Sequence, residues 1–144
     1  MNRKILIECI IAIVAVAIFG TVLYLTLGDP VVDTSSITDI TVYGVNSETT
    51  QVAVESLGAA DIKKVKDVLD GKQKSSTVPD ASFSEKCAFE LFDGDSSYYY
   101  FLAVDGTNYI MCGNDDTYIT ISEEEREVLV ELLRKYCVYY EDEL

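Results

Sequence analysis

The stretch "ILIECIIAIVAVAIFGTVLYLTL" runs from Ile5 to Leu27 and carries a single charged side chain, Glu8. As a helix of 23 residues, at 1.5 Å per residue, it is about 34 Å long, enough to cross a hydrocarbon core of about 30 Å. Glu8 falls within a turn of one boundary, where a carboxylate reaches the headgroups. Arg3 and Lys4 precede the run, and Asp29 and Asp33 follow it. The positive-inside rule therefore predicts a cytoplasmic N-terminus and places residues 29–144 outside. The sequence alternative is a cleaved signal peptide, for which "AVA" at Ala15–Ala17 offers a small-x-small site. The apolar run continues ten residues past Ala17, where a cleaved leader turns polar, so the expectation is a retained anchor. Cys9 follows "LIE" rather than small residues, and lipidation there is not expected.

The expected organisation follows from this. Residues 1–4 form a cytoplasmic stub, 5–27 a transmembrane anchor, 28–36 a linker, 37–137 an extracytoplasmic α+β domain, and 138–144 an acidic tail. Residues 29–144 carry 24 Asp/Glu and 9 Lys/Arg, a formal net charge of −15. That balance repels nucleic acid and anionic membrane surfaces. It leaves a cation, a basic partner or plain solubility as its use. Five of the nine basic residues, Lys63, Lys64, Lys66, Lys72 and Lys74, cluster in one patch. The patch reads as a solvated helix face, with docking to an acidic partner as the alternative.

Periodicity gives the elements. Ser36–Ser56 reads as a β-hairpin, with strand formers at Ile40, Val42, Tyr43, Val45, Val52 and Val54 and a turn at Asn46–Thr49. Ile62, Val65 and Leu69 recur at helical spacing, predicting a helix from Ala59 to Asp70 with Gly71 as its stop. Strands are predicted at 86–92, 97–104, 108–113 and 117–121, joined by "DGDS", "DGT" and "NDD". Such short connections make them antiparallel neighbours. Ser122 and Glu125 form an S-x-x-E capping box, opening a helix whose apolar face is Val128, Leu129, Leu132, Leu133 and Tyr136. Three glutamates in its first turn and Arg134 and Lys135 in its last suit the helix dipole. The fold class is therefore α+β. The expected arrangement is an N-terminal transmembrane helix followed by a two-layer sandwich of β-hairpin, helix, four-stranded antiparallel meander and helix, with both helices on one sheet face.

Side-chain alternation along the predicted meander yields two faces. Pairing Leu91 with Tyr98, Leu102 with Met111, and Met111 with Tyr118 puts Cys87, Phe89, Leu91, Tyr98, Tyr100, Leu102, Met111 and Tyr118 on one. Ala88, Phe92, Tyr99, Phe101, Ala103, Ile110, Cys112, Ile119 and Ile121 fall on the other. The second, with its smaller aliphatic content, is expected to pack on the helices. The first is then partly exposed, covered by the N-terminal hairpin, or open to a partner, which makes Tyr98, Tyr100 and Tyr118 the candidate partner-binding residues. In this register Cys87 and Cys112 point to opposite faces about 10 Å or more apart, beyond disulfide reach. Cys137 can meet only the cysteine on the helix-packed face.

The acidic clusters Asp93/Asp95, Asp105 and Asp115/Asp116 read as turn chemistry. A calcium-dependent adhesive role is a third-ranked reading, because the spacing lacks the glycine and glutamate of an EF-hand loop. The chain has no histidine and no tryptophan. Ser-His-Asp and Cys-His catalysis and histidine metal sites are thereby excluded. No P-loop, G-x-G-x-x-G or C-x-x-C is present. No catalytic residues, no metal site and no cofactor are expected, and the chain is not expected to be an enzyme. The terminal "YEDEL" is similar to an ER-retrieval signal of the K-D-E-L type, but its last four residues begin with Glu141 where the signal has Lys or His, so a charged tail that ends in Leu by chance is expected.

"ITDITVYG", "ADIKKVKDVL", "SSTVPD" before a strand and the Tyr-rich "SYYYFLAV" together resemble a family of small membrane-anchored or lipoprotein-like extracytoplasmic domains of unknown function from Gram-positive bacteria, over residues 36–134. The resemblance implies a location at the bacterial cell membrane and little about mechanism. The leading expectation is a single-pass membrane-anchored binding or regulatory module whose partner is an unknown protein or cell-envelope component. The alternative is a structural or accessory subunit of a membrane complex, acting through its transmembrane helix.

Overall fold

A computed structural model of the chain describes residues 7–18 and 30–140. They belong to two units, Met1–Pro30 and Val31–Leu144. In the first, residues 7–18 form helix α1. The remainder of the expected span, residues 5–6 and 19–27, lies outside the described residues, as does the terminal Glu141–Leu144. Among the described residues no helix is long and apolar enough to cross a membrane.

The second unit is α+β. Alternating β-branched and aromatic residues build strands β1 (Asp39–Val45), β2 (Val52–Ser56), β3 (Cys87–Asp93), β4 (Ser96–Leu102), β5 (Tyr109–Cys112) and β6 (Thr117–Thr120). They join in one antiparallel sheet of order β2-β1-β3-β4-β5-β6. The N-terminal hairpin thus extends the meander edge to edge through the β1–β3 ladder. It does not lie across a sheet face, as one of the sequence alternatives had it.

Helix α2 (Ala59–Leu69) carries the chain over the sheet between β2 and β3. It ends at Asp70, and Gly71 follows with φ +74°, a left-handed conformation that glycine adopts without cost. Helix α3 (Glu123–Tyr136) starts with the expected capping box: Ser122 Oγ accepts from Glu125 N–H, and the Glu125 carboxylate accepts from Ser122 N–H.

Val65, Val68 and Leu69 of α2 and Leu129, Leu132 and Leu133 of α3 share one buried core with alternate strand residues. Those strand residues are Ile40, Val42, Cys87, Phe89, Leu91, Tyr100, Leu102, Ile110, Cys112 and Ile119. Both helices therefore cover one face, which joins the β5 and β6 residues the sequence register selected (Ile110, Cys112 and Ile119) to the β3 and β4 residues it assigned to the opposite face (Cys87, Phe89, Leu91, Tyr100 and Leu102). Leu91 does pair with Tyr98, and Met111 with Tyr118. Between β4 and β5, however, Leu102 pairs with Ile110 and Phe101 with Met111, one residue away from the expected ladder. A one-residue slip moves every side chain of the next strand to the other face.

The cause lies in the β4–β5 connection. Val104 N–H donates to Ser82 O, and Phe83 bridges Ala103. Val104 is thus taken by the incoming segment rather than by β5. Asp105 accepts from Thr107 N–H and Oγ1–H and, with its other oxygen, from Ser82 N–H. Ala103 N–H donates to Tyr109 O, which continues the pairing of Leu102 with Ile110, so the three-residue connection "DGT" between positions 104 and 108 itself fits this register.

The segment expected as a linker is stitched into the domain. Val32 N–H donates to Lys72 O, and Gly71 N–H donates to Val32 O. Asp70 accepts from both Thr34 N–H and Thr34 Oγ1–H, and Val32 and Thr34 are buried. At the other end Tyr140 is buried in the core, so packing continues beyond Cys137 into the residues expected as tail.

Candidate functional site

The helix-free face of the sheet carries the other half of each alternation. Tyr43 projects from β1, Glu90 and Phe92 from β3, Tyr99 and Phe101 from β4, and Met111 and Tyr118 from β5 and β6. Tyr43 and Tyr99 stand on either side of β3, yet their ring centroids are 5.8 Å apart at 77°. Ala88, the partner of Tyr43 on β3, is small enough to let the rings meet edge to face, a favoured aromatic geometry.

The hydroxyls of both rings are anchored. Tyr43 Oη–H donates to Glu85 O at 2.9 Å, and Tyr99 Oη–H donates to a Glu90 carboxylate oxygen at 2.8 Å. Burial, with the neighbouring Tyr99 second, pushes the Tyr43 phenol up to about 12. Tyr99 is also raised, chiefly because its hydrogen bond to Glu90 favours the protonated form. Neither phenol is poised to titrate near neutral pH.

Tyr43, Glu85, Tyr99, Phe101 and Gly113 line a shallow groove of about 270 Å³. Gly113 makes room for it: a Cβ there would stand 2.6 Å from the Phe101 ring. Towards β6, Tyr118 packs on Phe83 with centroids 5.7 Å apart. Towards the other edge, β2 presents Val54 opposite Tyr43 and Val52 opposite Val45, 56% and 63% exposed.

The three tyrosines singled out from sequence do not form one surface. Tyr100 is buried at 6% exposure on the helix-covered side, where burial raises its phenol strongly. Tyr98 lies at the margin of that same side, 37% exposed. These two line a second groove, of about 240 Å³, with Lys74, Asp93 and the segment Val31–Ile37. Tyr118 belongs to the opposite face. The β4–β5 slip separates it from the others. Sequence reasoning missed Tyr43, Tyr99 and Phe101 as a group. The available signal was the alternation Ile40/Val42/Gly44 against Thr41/Tyr43/Val45, which assigns Tyr43 to the same face as Tyr99 once β1 is paired with β3.

The charged groups are largely satisfied internally. Lys63 pairs with Asp67, Lys64 with Asp61, Lys72 with Glu125 and Lys74 with Asp115, while Lys66 donates to Ile37 O. Each lysine of the basic patch thus has a partner within the domain, a carboxylate for four of them and a backbone carbonyl for Lys66. Asp115 accepts from Thr117 N–H and Oγ1–H, and Asp93 accepts from Ser36 Oγ–H, so Asp93, Asp105 and Asp115 serve turn and loop structure. Among the described residues no group of three or more metal-ligating side chains gathers.

Asp61 is the most engaged carboxylate. Its oxygens receive Lys135 Nζ at 2.7 Å, the Tyr136 hydroxyl at 2.6 Å and Lys64 Nζ at 3.1 Å. These partners, Lys135 first, hold it far below the usual carboxylate range. It clasps the first turn of α2 to the last turn of α3.

Comparison with known proteins finds no matching family model, no similar curated protein and no similar solved structure.

Proposed function

We propose that the chain is a single-pass membrane-anchored extracytoplasmic binding or regulatory module, not a catalyst, and that its partner contacts the helix-free face of the sheet. The carrying observation is the apolar strip on that face, which runs from exposed Val52 and Val54 through Tyr43 and Tyr99 to Tyr118 with no helix over it. A contiguous apolar surface rimmed by polar groups is the usual mark of an interaction site. The anchor reading rests on the 23-residue apolar run and the charge asymmetry around it. Its orientation supports an extracytoplasmic domain at the cell membrane.

The non-catalytic reading is supported by the chemistry present. The chain has no histidine. Each carboxyl group among the described residues whose titration is displaced is displaced downward: Asp33, Asp61, Asp105, Asp115 and Glu125. A general acid or base near neutral pH needs the opposite shift. The internally paired lysines argue for apolar recognition over charge-driven docking.

Affinity capture from native membranes with the full-length chain tests this, comparing wild type with Val54→Lys and Tyr99→Ala. Glu131→Ala, on the exposed side of α3, is the control. The expected result is a partner lost from the first two variants and kept by the control. Identical partner profiles in all four proteins would refute the assignment.

A further inference from the structure

Cys87 opens β3 and Cys137 is the C-cap of α3. Fifty residues separate them, yet their sulfurs stand 3.1 Å apart in the core, both as thiols. The sheet makes a specific allowance for this meeting. Gly44 is the residue opposite Cys87 on β1, and a Cβ at position 44 would lie 2.5 Å from Cys137 Sγ. The missing side chain is what lets the end of α3 descend onto the strands. Cys112, although it belongs to the same helix-covered face, lies on β5, two strands beyond β3. Strand spacing of about 4.8 Å keeps it out of reach of Cys87.

We propose that Cys87 and Cys137 are a disulfide site, closed by exchange with an organic disulfide, and that Cys112 stays a thiol. One of the pair attacks a sulfur of the external disulfide as its thiolate, releasing one thiol and leaving a mixed disulfide on the protein. The second protein thiolate attacks the protein sulfur of that bond and releases the second external thiol. Two protein thiols are thereby oxidised, one external disulfide is reduced to two thiols, and both protons pass to the released thiols. The closed bond ties the last turn of α3 and the following Val138–Tyr140 to the β1–β3 centre of the sheet. The inference rests on the sulfur geometry and Gly44 and is independent of the partner-binding face. Its biological setting rests on the proposed extracytoplasmic location, since disulfides persist in oxidising compartments.

The test uses the full-length chain, unfolded and refolded in buffer containing excess oxidised glutathione with a little of the reduced form. Thiols are then counted in denaturant by maleimide mass tagging, and linked peptides are mapped. The expected result is two titratable thiols of the four cysteines, a Cys87–Cys137 linked peptide, and a melting temperature that falls on adding dithiothreitol. Cys112→Ser retains the linked peptide, while Cys137→Ser loses it. Four titratable thiols after refolding, a linked peptide containing Cys112, or a linked form that melts below the reduced one would each overturn the proposal.

Discussion

The two faces of the sheet are built from the same strands and differ in what they ask of each residue. Under the helices, Ile40, Val65, Ile110, Ile119 and Leu129 are almost wholly buried. Their side chains are aliphatic, and the polar atoms that intrude are matched. On the bare face the large residues are Tyr43, Phe92, Tyr99, Met111 and Tyr118, all partly exposed, with Phe101 buried among them. Their hydroxyls, where buried, hold a backbone carbonyl or a carboxylate. One face is built to exclude water. The other presents rings with polar ends, the composition enriched at interfaces. Apolar content alone therefore does not locate a core: both faces are apolar, and the helices seal one of them while the other keeps most of its rings partly exposed.

Breaking the sealed face gives the largest effect. Ile40→Ala removes a side chain with no exposure and should cost about 2–5 kcal/mol, a range set by how far the cavity collapses. Chemical denaturation of the variant measures it. The same truncation at Val54, more than half exposed, should stay within about 0.5 kcal/mol. Equal losses would dissolve the distinction between the faces.

Gly44→Ala probes the point where α3 reaches the sheet. Its added methyl meets the Cys137 sulfur, and overpacking of this kind costs about 1–3 kcal/mol. Double substitution with Cys137→Ala should recover most of that loss. The recovery, read from denaturation midpoints, isolates the contact.

Asp61 supplies the pH dependence of the sealed side. Its carboxyl titrates far lower in the folded chain than the ordinary value near 4, because Lys135, Tyr136 and Lys64 favour the charged form. The folded state therefore binds fewer protons than the unfolded state in the acid range. The stabilisation is fully present above about pH 4 and declines as pH falls through the window below it. Asp61→Asn should lower the melting temperature at pH 7 and flatten its decline below pH 4. A variant with the wild-type acid profile would remove Asp61 from the account.

How much of this was legible in sequence differs by element. The capping box Ser122/Glu125 and the stop at Gly71 were readable because they are local, fixed within four residues by hydrogen bonding and a positive φ. The helix-covered face was not. Its assignment turned on a single register step between β4 and β5. Strand ends at 104 and 108 on either side of "DGT" put 102 opposite 110, the pairing observed, whereas the expected ladder set 102 opposite 111. What a hairpin read in isolation does not contain is the third segment, Ser82 and Phe83, that pairs with its end. Through the register step Cys112 was expected to face away from Cys87, whereas both lie under the helices. The β1–β3 pairing is likewise non-local, and with it went the grouping of Tyr43 with Tyr99.

Thr41 gives the smallest and most pointed test. It sits on the helix-free side of β1, 7% exposed, and its hydroxyl has no hydrogen-bond partner among the described residues. A buried unpaired hydroxyl is costly. Thr41→Val keeps the shape, removes the orphan and should raise stability by about 1 kcal/mol, measured from the denaturant midpoint. A loss instead would mean that the hydroxyl is satisfied from outside the chain, by water or by a bound partner.

The bare sheet face is the proposed meeting point of this protein with its partner. Site-specific photocrosslinking in living cells tests it most directly. A photoreactive residue is placed at Val54 on the bare face or at Glu131 on the exposed side of α3, each in the full-length chain. A discrete higher-mass adduct is expected from position 54 and none from position 131. Adducts from 131 alone, or equal labelling at both, would contradict it.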